Sequence, residues 1–212
     1  MATRSEIIDK VKERLDEISP FAEEEVDAVS LVDKLLDESA NTIRLAAPVT
    51  LLAHVGIDVY AAVSNSDGSG YVVLAPDFLR LHTWKMALWK IPVSTAISID
   101  NPKYKLQQHT VTRGGTVKPV VVIRAKLPDT GITKWGFNEK MLEYFSVPDP
   151  PTPHVIEAAR YIRTGPAQQI EEILVDILAW QCAGDVYVVQ EMPEQAQVAY
   201  AKVKEFIDKQ IL

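Results

Sequence analysis

The stretch IDVYAAVSNSDGSGYVVL, residues 57–74, decides the fold. Ile57 to Val63 and Tyr71 to Leu74 are rich in β-branched and aromatic residues, and Ser64 to Gly70 between them is a cluster of turn formers. That pattern predicts a β-hairpin with a loop longer than two residues. Upstream, the period is helical. Thr3-Arg4-Ser5-Glu6 fits a capping box, and Ile7, Ile8, Val11, Leu15 and Ile18 follow at helical spacing to Pro20. Asp27 can cap a second helix with the stripe Leu31, Val32, Leu35, Leu36, Ser39 and Ile43, closed near Pro48. Downstream, Phe78 to Trp89 fits either helix or strand. Ile91–Ile99, Thr110–Thr112, Val117–Arg124 and Lys140–Val147 read as strands, with Arg113-Gly114-Gly115-Thr116 as a turn.

Pro148-Asp149-Pro150-Pro151-Thr152-Pro153 holds four prolines in six residues, which predicts an extended linker. Helix is expected to return after it. Thr164 or Gly165 can cap, Pro166 suits a first helical position, and Ile170, Ile173, Leu174, Ile177 and Leu178 form a stripe that Trp180 and Cys182 continue. Val186–Val189 extends this helix despite Gly184, and Pro193 opens a last one with Val198 or Ala199, Val203, Phe206, Ile207 and Ile211 inward. The expected architecture is therefore α+β: a helical bundle built from the N- and C-terminal helices, with a mostly β insertion in the middle. The expected boundaries are 1–56 and 154–212 for the helical core, 57–147 for the insertion and 148–153 for the linker.

Composition narrows the class. The 212 residues are 47% hydrophobic and 24% charged, as in folded proteins. No apolar run reaches the length of a membrane span, and the charged stretch Met1–Lys10 does not read as a signal peptide. Cys182 stands alone, which excludes an intrachain disulfide. Charge is segregated. Residues 1–40 carry 12 acidic and 5 basic side chains, a balance of −7 that equals the whole chain's, while residues 80–140 carry 11 basic and 3 acidic ones. These stretches read either as solvated faces or as complementary patches, which suit contacts with copies of the chain or with a partner. A basic surface that meets nucleic acid is the alternative.

No catalytic signature emerges. The P-loop, nucleophile-elbow and H-E-x-x-H patterns are absent, and Gly68-Ser69-Gly70 is a turn rather than a dinucleotide fingerprint. His54, His82, His109 and His154 lack the local spacing of a metal clip. Cys182 lies on an apolar stripe and reads as a small buried hydrophobe. No enzymatic activity, metal or cofactor is expected. The tryptophans are more informative. Arg80, Trp84, Lys85, Trp89 and Lys90 interleave cations with aromatics, and Trp135 follows in the same region. They read either as core packing or as an interface set, since Trp and Arg are enriched at interface hot spots. Glu23, Glu24 and Glu25 form an acidic connector, by default a solvated face and otherwise a candidate interface.

The opening helices, Ile7-Ile8-Asp9-Lys10-Val11-Lys12-Glu13-Arg14-Leu15-Asp16-Glu17 and Leu31-Val32-Asp33-Lys34-Leu35-Leu36-Asp37-Glu38-Ser39-Ala40, resemble the start of head–tail connector proteins of tailed bacteriophages. Leu74-Ala75-Pro76-Asp77-Phe78-Leu79-Arg80-Leu81, Trp89-Lys90-Ile91-Pro92-Val93, Lys118-Pro119-Val120-Val121, Leu142-Glu143-Tyr144-Phe145-Ser146 and Leu178-Ala179-Trp180-Gln181-Cys182-Ala183 add to the likeness, which is greatest to the ring, or adaptor, proteins of crAss-like phages. The resemblance implies a non-enzymatic virion protein at the head–tail junction. It would form a ring of twelve copies below the portal protein, contact another ring or tail component, and extend a channel that genomic DNA passes without sequence-specific binding, with Glu23, Glu24 and Glu25 as candidate acidic lining. It implies no membrane partner. A ring of this kind closes through heterologous, head-to-tail contacts.

Overall fold

The computed structural model describes residues 2–18, 25–60, 62–125, 140–148 and 154–211. The chain divides into two compact units, Met1–Ala53 with Thr164–Leu212, and His54–Arg163. The α+β class is as expected: helices from both ends of the sequence, antiparallel sheets in the middle.

The first unit is helical. α1 (Arg4–Ile18) starts on the expected capping box: Thr3 Oγ1 accepts from the Glu6 amide at 3.3 Å, and the Thr3 amide donates to Glu6 Oε2 at 2.7 Å. It buries Ile7, Val11 and Leu15. α2 (Glu25–Ala46) buries Val32, Leu36, Ala40 and Ile43 at the same helical spacing. It begins before Asp27, which is therefore inside the helix rather than its cap.

α4 (Val175–Val189) is buried on nearly every side and packs against α1, α2 and α5 (Pro193–Ile211). Its apolar surface leaves no polar stripe, as befits the central helix of a bundle. Gly184 sits where a Cβ would collide with the Tyr200 ring, so the crossing of α4 and α5 requires glycine. That explains a helix-disfavouring residue within a continuous helix. The start of α4 corrects the sequence expectation. Residues 167–174 make two single 3₁₀ turns instead of helix. The buried Arg44 of α2 takes the Gly165 carbonyl at 2.5 Å and the Pro166 carbonyl at 3.0 Å, and Asp37 Oδ1 accepts from the Ala167 amide at 2.8 Å. The Pro166 carbonyl also accepts from the Gln169 amide at 3.0 Å, and the extended backbone of Ile170 and Glu171 breaks the segment into separate turns.

The second unit holds two sheets. One has the order β1 (Val55–Gly56), β7 (Ile156–Arg163), β4 (Phe78–Met86). The other runs β2 (Val63–Ser64), β3 (Gly70–Val73), β6 (Lys140–Tyr144), β5 (Val121–Ala125). The expected hairpin forms between β2 and β3, but Ile57–Val63 is not one strand. Its upstream end belongs with β1, which pairs with β7. β7 also moves the expected boundary. It is the central strand of its sheet and lies beyond the proline segment, so the β unit ends at Arg163 rather than at 147. The helical core resumes at Thr164 rather than at 154. Of the proline segment, residues 149–153 fall outside the described residues.

β4 settles the helix-or-strand question as strand. Its buried residues fall at Phe78, Leu81, Trp84 and Met86, because register shifts lengthen the usual alternation. Bulges of this kind mimic a helical period. Smaller corrections follow downstream. Thr110–Thr112 is a 3₁₀ turn, and Ile91–Ile99 makes only the bridges Trp84↔Val93 and Ile97↔Val122. α3 (Pro102–Gln107), not expected, is capped by Asn101, whose side chain accepts from the Lys103 amide at 3.0 Å.

Candidate functional site

The structure separates the residues that sequence reading had grouped. Trp84 is fully buried and stacks on Tyr144 at 5.5 Å between centroids. Trp89 is also buried and donates from Nε1 to the Ser146 carbonyl at 3.2 Å. Both are core residues of the β unit. Their alternative reading as interface anchors is corrected: a side chain sealed within its own unit has no surface to offer a partner. Trp135 lies outside the described residues, as do Glu23 and Glu24. Glu25 is the first residue of α2.

The cations between these tryptophans stay at the surface. Lys85 pairs with Glu157, and Lys90 is exposed. Elsewhere in the basic region, Arg113 pairs with Asp67 at 2.7 Å and Arg124 with Glu143 at 2.6 Å. Lys90, Lys103, Lys105 and Lys118 are exposed and make no ion pair among the described residues.

The cluster that sequence reading missed lies on the sheet β1–β7–β4. His54, just before β1, stacks on His82 of β4, with ring centroids 4.3 Å apart. Arg160 of β7 lies 3.2 Å from His54 Nε2 through Nη1. A guanidinium can only donate, so His54 Nε2 is the acceptor. His82 Nδ1 lies 2.7 Å from the Thr83 hydroxyl. Burial pushes the His82 pKa down, and the nearby His54, Arg160 and Arg80 push it further. Positions 54, 82 and 160 share no local spacing, and Arg160 lies on the strand that the sequence did not reveal. Only strand pairing brings them together.

His154, Cys182 and Asp185 are structural. His154 is buried, its Nδ1 3.1 Å from the Tyr144 hydroxyl, and burial lowers its pKa. Cys182 is buried among the helices, and burial pushes its thiol up to about 12, so it is not poised as a nucleophile. In the helical unit, Asp185 accepts from Ser39 at 2.5 Å, from Gln181 at 3.0 Å and from Tyr200 at 2.7 Å, tying α2, α4 and α5 together. Beside it lies a groove of about 210 Å³ lined by Leu35, Glu38, Thr42, Asp185, Val188 and Val189. Among the described residues, no group of three or more His, Cys, Asp or Glu side chains is placed to hold a metal, and no helix is long and apolar enough to cross a membrane.

No protein-family model matches the chain. No curated protein matches it either.

Proposed function

We propose that the chain is a structural subunit of a ring in the head–tail connector of a tailed bacteriophage, assembling with copies of itself and with a portal protein. The observation that carries this reading is the charge of the two units. The helical unit has 20 acidic and 9 basic residues, a balance of −11, and the β unit has 13 basic and 9 acidic, a balance of +4. Opposite-signed units on one chain suit heterologous contacts, in which one subunit's basic surface meets the next one's acidic surface. Exposed acids of α1 and α2 (Glu13, Asp16, Glu38) and exposed lysines of the β unit (Lys90, Lys103, Lys118) supply the two faces. Half-exposed Val188 and Val189 beside the groove add apolar area of the kind assembling surfaces use.

Native mass spectrometry of the full chain, with negative-stain imaging, tests the reading. Closed rings that dissociate as salt is raised are the expected result. A chain that keeps its monomer mass at high concentration, and is not retained when co-expressed with a phage portal protein, overturns it. The second reading, a nucleic-acid-binding module, is supported by the same exposed lysines. Duplex binding by the isolated subunit that falls steeply with salt would favour it.

A further inference from the structure

We propose that the β1–β7–β4 sheet carries an oxyanion site of the phosphate class, formed by His54, His82 and Arg160. Three separate segments bring these groups to one place. None of the three is ion-paired to a carboxylate among the described residues. An imidazole carries a ring N–H and a guanidinium only donates, so the stacked rings and Arg160 offer hydrogen-bond donors to an anion. There is also room. Gly56 pairs with Arg160 across the β1–β7 ladder, and a Cβ placed on it would meet nothing within 4 Å.

Arg160 spends one N–H on His54 Nε2, which leaves the rest of its fork for an oxyanion beside the two rings. Around His82 stand His54, Arg160 from β7 and Arg80 from β4, with the Thr83 hydroxyl at its Nδ1. The site does not depend on ring assembly, and either can fail without the other.

The test is an NMR titration of the imidazole signals in the full chain with inorganic phosphate, at about pH 6. Saturable shifts of both His54 and His82 are expected, with affinity about tenfold weaker in Arg160→Gln. Gly56→Glu sets a carboxylate into the open space opposite Arg160 and is expected to abolish binding. Arg160→Gln, at an exposed position, carries the test should Gly56→Glu fail to fold. A short DNA duplex is titrated separately. Tighter binding of the duplex at equal phosphate assigns the anion to a nucleic-acid backbone, and equal or weaker binding assigns it to a small phosphate; both support the site. If neither ring responds to either probe, or if folded Gly56→Glu and Arg160→Gln both bind phosphate like the parent chain, the proposal is overturned.

Discussion

Gly184 and His154 show how single residues constrain this molecule. Gly184 lets α4 and α5 approach until the Tyr200 ring covers its backbone, and Tyr200 is itself held by Asp185 at 2.7 Å. Gly184→Ala removes a helix-weakening residue, yet overpacking outweighs that gain. A loss of about 1–3 kcal/mol is expected, read as a lower urea midpoint with an unchanged slope. His154 is buried in the β unit with its pKa below the ordinary 6.5. The unfolded chain therefore binds a proton more readily than the folded one. The corresponding stability is present above pH 6.5 and is lost as pH falls below it. Thermal melts are expected to show a lower Tm in mild acid, and His154→Gln a shallower dependence. An unchanged slope in that variant would shift the effect to His82, which is depressed in the same direction.

At the scale of elements, two segments depend on side chains that lie far away in sequence. The turns before α4 are held by Arg44, which spans two carbonyls more than 120 positions along the chain. Arg44→Ala leaves those carbonyls without their charged donor and is expected to cost about 2 kcal/mol. Lysine at the same position, with one point charge in place of a fork, restores only part of it. β4 depends on Trp84, the largest fully buried side chain of the β unit. Trp84→Ala is expected to cost about 3–5 kcal/mol in chemical denaturation, because the cavity left beside Tyr144 cannot collapse onto a paired strand. A near-neutral result would return Trp84 to the surface role that its flanking cations suggested.

For the whole molecule, the segregation of charge predicts how copies meet. Reversing Lys90, Lys103 and Lys118 to glutamate makes both units acidic. If self-association runs through opposite charges, the variant loses its higher-order species while its circular dichroism spectrum stays that of the parent. The same variant retaining rings would assign assembly to apolar contacts instead, with Val188→Asp as the change that dissolves them. Raising salt separates the two, since screening weakens exposed charge pairs and spares apolar burial.

Local chemistry was legible in the residues themselves. The capping box at Thr3–Glu6, the buried stripes of α1 and α2, the turn at Ser64–Gly70 and the α+β class follow from nearest-neighbour patterns, which need no partner to be read. What sequence did not disclose depends on distant pairing. β7, with Ala158-Ala159-Arg160 at its middle, has weak strand propensity and is a strand because β1 and β4 pair with it on both sides. The bulges of β4 disguise its period, and extended backbone at Ile170 and Glu171 ends the turn that Pro166 invites. The burial of Trp84 and Trp89 was one of two open readings until the sheets formed around them. The His54–His82–Arg160 cluster exists only through that pairing, because residues so far apart in the chain become neighbours only when strand register brings them together.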